Sequence, residues 1–399
     1  MLCQFSVKNY KSYKDKTVLE MQAENGNEFE NSLIISDKDN KRFLPISTIY
    51  GPNAGGKSNF LDAFVTLNTN VVAPISIIKL NQKITPNPVI SYKFCEEEIP
   101  TEFEVFYRIE KNEFRYNLSF YKGKIIYESL FVLTENAKKP TKIFIRDAEQ
   151  VELGEELKNK VNTNNNLEIP FLSFLSISYD IDIINKAMSF FFNTIMISFS
   201  KDINENISLE WAFEEEIKIK VIELFRNMDI DIVDYREEKI GVDSYKIFMK
   251  HIVDNKEYEL NLLEESKGTQ KLFSLLPKLI RALKEGTLTI IDEMDAKLHP
   301  KLVEYIIEMY KNKDLNINGA QLIMTSHDLT TMTNEVYRRD EILFASKNIE
   351  NFSELYSLYE IRDTNGEHIR KDASYNKQYI EGKYGADPYL QRILSWEVK

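Results

Sequence analysis

Several short stretches of this chain carry residue types at spacings that suit chemistry on a phosphorylated substrate. The first runs from Ile46 to Phe64, ISTIYGPNAGGKSNFLDAF. An apolar run ends at Tyr50, a glycine-rich loop follows, and Lys57 and Ser58 open an amphipathic run. The spacing fits G-x-x-x-x-G-K-[ST] in its required setting, a strand before and a helix after. Glycines at Gly51, Gly55 and Gly56 let the backbone turn tightly. Its N–H groups, from Asn53, Ala54, Gly55 and Gly56 through Lys57, Ser58 and Asn59, can then approach phosphate oxygens at the positive end of a helix. Lys57 is expected to reach the β- and γ-phosphates, and Ser58 to ligate Mg²⁺.

A second stretch supplies carboxylates. The apolar run Thr287 to Ile291 leads into Asp292 and Glu293, then Met294, Asp295, Ala296, Lys297, Leu298, His299 and Pro300. Two adjacent acids at a buried strand end are costly without a cation, and Mg²⁺ would supply one. Asp292 then holds the metal through water, and Glu293 orients or deprotonates the attacking water. A third stretch, LLEESKGTQKLFSLLPKLIRAL from Leu262 to Leu283, places Ser266, Gly268 and Gln270 before leucines at helical spacing. It reads equally as an anion site at a helix N-terminus or as an ordinary capped helix. A fourth apolar run, Gln321 to Thr325, ends in Ser326, His327 and Asp328.

The elements that must position these residues follow from periodicity. Leu2 to Val7 and Thr17 to Met21 read as two strands joined by a polar turn rich in lysine. From Ile90 to Arg146 the runs SYKF, TEFEVFYRIE, EFRYNLSFY, KIIYESLFVLT and TKIFIRD alternate aromatic or β-branched residues with charges, an antiparallel β-meander with turns at KNE and KGK. Ile183 to Phe192 and Trp211 to Met228 read as helices, within a mostly helical insertion. The expectation is an α/β P-loop fold with a mixed central sheet. Residues 1–147 form a first lobe with the P-loop and the meander, 148–228 the helical insertion, and 229–399 a second lobe.

Composition narrows the class further. The 399 residues are 43% hydrophobic, enough for a sizeable core. The formal net charge of -12 argues against a general nonspecific DNA binder while leaving room for a local basic groove. Cys3 and Cys95 have no paired spacing, which excludes a disulfide scaffold and suits a reducing cytoplasm. No apolar run reaches the length of about 18 residues that marks a transmembrane helix, so no membrane is expected.

Taken together, VKNYKSY, YGPNAGGKSNFLDAF, ESKGTQKLF, TIIDEMDAKLHP, QLIMTSHD, RRDEILFA and GKYGADPYL resemble the ABC-type ATPase heads of the SMC and RecF superfamily. More narrowly they look like the compact ATPases of bacterial abortive-infection phage-defence pairs, the RloA/AbiL-like and OLD-like group. That resemblance implies ATP as the nucleotide, Asn9 and Lys11 as ATP contacts, and His327 as a switch histidine at the γ-phosphate. It also implies a homo-oligomer in which the P-loop of one copy faces Ser266 and Gly268 of another, with Met294 to Lys297 passing between the sites. The family's glutamine near the metal has no assigned counterpart, Gln82 lacking the surroundings of such a loop. OLD-like proteins carry a metal-dependent nuclease module, but the roughly seventy residues after His327 are fewer than a domain needs. An effector, nuclease or toxin, is therefore expected on another polypeptide. A RecF-like DNA repair ATPase and an ATP-dependent assembly scaffold with little turnover remain as alternatives.

Overall fold

The computed structural model describes residues 1–79, 88–95, 98–162, 168–198, 210–240, 245–296, 298–363 and 365–386. Gln82 and Lys297 lie outside them. Two large sheets enclose the long helix Lys57–Lys79. The first sheet has seven strands, all antiparallel, in the spatial order Gln150–Leu153, Thr141–Asp147, Lys124–Leu133, Asn112–Tyr121, Thr101–Ile109, Leu2–Lys8, Thr17–Glu20. Its alternating sequence has a direct structural counterpart: Phe103, Val105 and Tyr107 point into the core while Glu102 faces outward. The amino-terminal hairpin and the meander are thus one sheet, joined where Val7 pairs with Phe103. SYKF, read as a strand from its alternation, lies outside the strands.

The second sheet has six strands in the order Ile195–Ser198, Leu288–Asp292, Gln321–Thr325, Ile46–Tyr50, Ile342–Lys347, Ser353–Ser357. The first five run parallel and the last antiparallel. Every residue of Ile46–Tyr50 and Gln321–Thr325 is buried. Such continuous apolar strands are what a parallel sheet covered on both faces requires. One face receives the Lys57–Lys79 helix, whose Phe60 and Phe64 meet Phe5 edge-on at 5.6 and 5.0 Å between ring centroids. The other face receives the helices Lys267–Glu285 and Pro300–Lys311, through Leu272, Leu275, Leu276 and Leu279 of the former and Val303, Ile306 and Ile307 of the latter.

The 148–228 stretch serves both cores. Helices Phe171–Ser178 and Asp182–Asn193 pack with the first sheet, where Tyr107 stacks on Phe190 at 4.3 Å. Helix Glu215–Asn227 packs against Lys267–Glu285. Between them Ile195–Ser198, a strand the periodicity did not indicate, adds an edge to the parallel sheet beside Leu288–Asp292. A smaller three-stranded sheet, Asp234–Lys239, Tyr245–Val253 and Lys256–Asn261, leads into the helix that Ser266 opens.

Candidate nucleotide site

Three parallel strands deliver the chemistry to one rim. The pairings Thr325 with Ile49 and Ile291 with Met324 bring the carboxyl ends of Ile46–Tyr50, Leu288–Asp292 and Gln321–Thr325 level with each other. In open α/β sheets that rim, where the strand order reverses, is the usual place for a ligand. The loop after Tyr50 turns there with Gly51 at φ 141° and Gly56 at φ 115°. A Cβ on Gly51 would collide with the carbonyl of Ala345, and one on Gly56 with the Ser353 side chain. Both glycines are therefore required by the neighbouring strands as well as by the turn.

Lys57 is buried and donates to the carbonyls of Gly51 at 2.8 Å and Pro52 at 3.0 Å. Burial pushes its ammonium down to about 8, against the opposing pull of Asp292, Asp295 and Glu293. Next to it the Ser58 hydroxyl donates to Asp292 Oδ1 at 3.0 Å. The Thr325 hydroxyl donates to the same oxygen at 2.7 Å and accepts from the Glu293 N–H at 2.7 Å. Thr325 thus ties both acids to the adjacent strand. Glu293 itself is exposed and sits in the left-handed region at φ 56°, a conformation that a non-glycine residue keeps only when its surroundings hold it.

His327 follows on the same rim, exposed, its backbone N–H donating to Asp295 Oδ1 at 3.1 Å. Partial desolvation of the ring and then the Lys57 charge lower its pKa, while Asp295, Glu293 and Asp292 oppose them. The lowering favours the uncharged imidazole, in which one nitrogen can donate and the other accept.

The amino-terminal turn closes over the start of the Lys57–Lys79 helix. Ser12 accepts from Asn59 Nδ2 at 2.9 Å, and the Tyr13 hydroxyl donates to the Gly56 carbonyl at 3.2 Å. Lys11 pairs with Asp62 at 2.6 Å, and the Tyr10 hydroxyl donates to the same carboxylate. Asn9 is buried, its side-chain amide donating to the Ile99 carbonyl at 2.6 Å and its backbone carbonyl accepting from the Thr101 hydroxyl at 2.7 Å. Asn9 and Lys11 both adopt positive φ. Asn9 therefore fastens the turn to the large sheet, while Lys11 stands beside the helix that carries Ser58.

Ser266 and Gly268 occupy the outer end of the Lys267–Glu285 helix. The Ser266 side chain is exposed and accepts from the Thr269 N–H at 3.1 Å, a helix cap. The structure thus joins Lys57, Ser58, Asp292, Glu293 and His327 in one cluster, and leaves Ser266 exposed and Gly268 half-buried on the first turn of another helix, with Asn53 and Ala54 exposed on the loop. Two participants escaped the sequence reading, Thr325 and Lys271, whose buried ammonium donates to the backbone carbonyls of Glu293 at 3.3 Å and Met294 at 2.9 Å. Neither carries a local signature, because their importance arises only once strand register and helix packing bring them to the acid pair.

The chemistry of the donor set suits Mg²⁺ bound together with a triphosphate. Among the described residues no group of three or more His, Cys, Asp or Glu side chains could hold a metal unaided. Mg²⁺ needs few protein oxygens when phosphates and waters complete its octahedron, and the Ser58 and Asp292 oxygens lie side by side.

A glycine-rich loop feeding a helix, an acid pair on the neighbouring rim and a polar strand end define a P-loop nucleotide site in an α/β fold. The chain belongs to the family described as "AAA domain, putative AbiEii toxin, Type IV TA system", whose profile matches residues 46–333. Among solved structures it is similar to the SMC head domain from Thermotoga maritima, with 11% identity and a TM-score of 0.44 over 89% of this chain and 98% of that one. It is also similar to an SmcHead bound to the C-winged helix domain of ScpA, with 12% identity and a TM-score of 0.45 over 89% and 97% of the two chains. No curated protein matches the sequence.

Proposed function

We propose that the chain is an ABC-type ATPase that hydrolyses ATP to ADP and phosphate, associates with further copies around the nucleotide, and controls a separate effector protein. The observation that carries this reading is the convergence of the Ser58 and Thr325 hydroxyls on Asp292 Oδ1 beside a buried Lys57. Such a constellation would be costly as mere structure and is suited to a metal triphosphate. In it the loop N–H groups and Lys57 bind the β- and γ-phosphates. Ser58 and Asp292 would hold Mg²⁺, which when bound neutralises phosphate charge and fixes the reacting geometry. Glu293 orients the attacking water and takes its proton, and His327 hydrogen-bonds the terminal phosphate. Asn9 and Lys11 support the nucleotide from the amino-terminal turn, Asn9 through the backbone it anchors.

Ser266 and Gly268 supply N–H and hydroxyl groups to the nucleotide of a second copy. The exposure of Ser266 and the half-buried Gly268 beside it at a helix N-terminus fit that role. The family description, which names a putative AbiEii toxin of a Type IV TA system, supports a setting in anti-phage defence. The deciding experiment is Glu293→Gln: turnover should fall about 10²- to 10⁴-fold, in the range of a lost general base, while Mg-ATP still binds and holds the copies together. Unchanged turnover in that variant would refute hydrolysis by this cluster. For the defence role, cells carrying the chain with its neighbouring genes should lose protection against phage on Lys57→Ala. Protection that survives this change would reject it.

A further inference from the structure

The buried lysine on the first full turn of the Lys267–Glu285 helix is not explained by phosphate binding. Lys271 is 3% exposed, and its ammonium donates to the carbonyls of Glu293 at 3.3 Å, Met294 at 2.9 Å and Ala296. A lysine taken out of water requires acceptors in fixed positions, and here they come from the loop that follows Asp292. That loop includes Glu293, whose left-handed backbone must be held from outside. Thr325 holds it on the amide side, through the Glu293 N–H to its hydroxyl and the Met294 N–H to its carbonyl at 3.0 Å. Lys271 holds it on the carbonyl side.

The same helix also carries the exposed end. Ser266 caps the helix, Gly268 lies one residue beyond its start, and Gln270 secures the approach by donating to the carbonyls of Leu263 at 3.1 Å and Glu265 at 2.8 Å. About one and a half helical turns therefore separate the exposed serine from the lysine that grips the catalytic loop.

We propose that Lys271 is a positioning residue: it clamps the 293–296 backbone so that Glu293 points at its own nucleotide, and so transmits movement of the Ser266–Gly268 helix end to that carboxylate. The proposal rests on the ATPase reading above for its consequence, though not for the clamp itself. A shift of the helix end on meeting a second copy's triphosphate pulls the three carbonyls with it. Turnover at one P-loop then depends on occupancy of the facing site.

Hydrogen exchange in the nucleotide-free full-length chain, followed by turnover and ATP affinity, separates the two claims. In Lys271→Met, protection should drop in the peptide covering 293–298 while the Leu288–Asp292 strand and the Lys267–Glu285 helix keep theirs. Lys271→Arg, which retains donors, should restore most of it. Turnover in Lys271→Met should fall about tenfold or more with ATP affinity within about threefold, the pattern of an interaction that acts in the transition state alone. In the Glu293→Gln background the same change should cause no further loss, since both act through one group. Unaltered protection of 293–298, or protection lost equally across helix and strand, would overturn the clamp. A full additional loss in the Glu293→Gln background would overturn its action through Glu293. Should the wild-type chain hydrolyse nothing, the ATPase reading fails while the exchange result still decides the clamp. Lys271→Gln, with a shorter donor of similar bulk, takes the place of the methionine variant if that one does not fold.

Discussion

Lys57 makes ATP binding a function of pH. Its ammonium is pushed down to about 8 by burial, whereas a triphosphate seated on the loop would stabilise the charged form and raise that value. The bound state therefore holds the proton more tightly than the free one. Affinity should be full below about pH 8 and fall above it by up to about tenfold per pH unit until the bound-state pKa is passed. The terminal phosphate has already titrated by then, so it does not contribute to the trend. Equilibrium titration with a non-hydrolysable ATP analogue between pH 7 and 10 measures the effect. Lys57→Arg, charged throughout this range, should bind with no such slope, and a wild-type affinity flat across pH 8 would show that Lys57 does not meet the phosphates.

The Lys57–Lys79 helix is the element on which both sheets depend. Phe64 is 2% exposed, meets Phe5 edge-on at 5.0 Å and reaches Phe190 at 6.3 Å, so it locks the amino-terminal strand, the P-loop helix and the Asp182–Asn193 helix together. Phe64→Ala should lower unfolding stability by about 3–5 kcal/mol in a denaturant melt, as for other buried aromatic truncations. A loss of under about 1 kcal/mol would mean the sheets close without it. This element was legible in the sequence because its signals are local: the glycines, Lys57, Ser58 and the apolar periodicity all lie within a few residues of one another. The acid pair at Asp292 and Glu293 was legible for the same reason. What was not legible depends on partners distant in the chain. Thr325 closes a strand like many others until register sets its hydroxyl against Asp292. Lys271 looks like a surface charge on a helix until packing buries it. Ile195–Ser198 is too short to show a period, and it becomes a strand through pairing with Leu288–Asp292. The sheet from Asp234 to Asn261 buries so few side chains that its alternation is faint: every residue of Lys256–Asn261 but the last is exposed.

At the scale of the whole molecule, the P-loop cluster and the Ser266–Gly268 helix end are two surfaces of different character. The first gathers a buried ammonium, carboxylates and backbone N–H groups around one rim. The second is an exposed helix N-terminus whose serine caps its own turn. A helix N-terminus favours an anion, and the anion that the proposed cycle offers is the triphosphate on another copy. With a formal net charge of -12 on each chain, copies repel at low ionic strength, so in the proposed cycle it is the nucleotide and Mg²⁺, rather than general attraction, that close the pair. Mass measurement should therefore find Glu293→Gln associated with Mg-ATP and dissociated with ADP. Adding Gly268→Asp to that variant places a carboxylate where the facing phosphate must approach. Association should then be lost while each chain binds ATP within about threefold of the parent affinity, because the mutated helix end does not touch its own nucleotide. A double variant that associates as readily as Glu293→Gln alone would mean that the copies meet through some other surface, and one that also loses ATP binding would place Gly268 beside its own P-loop.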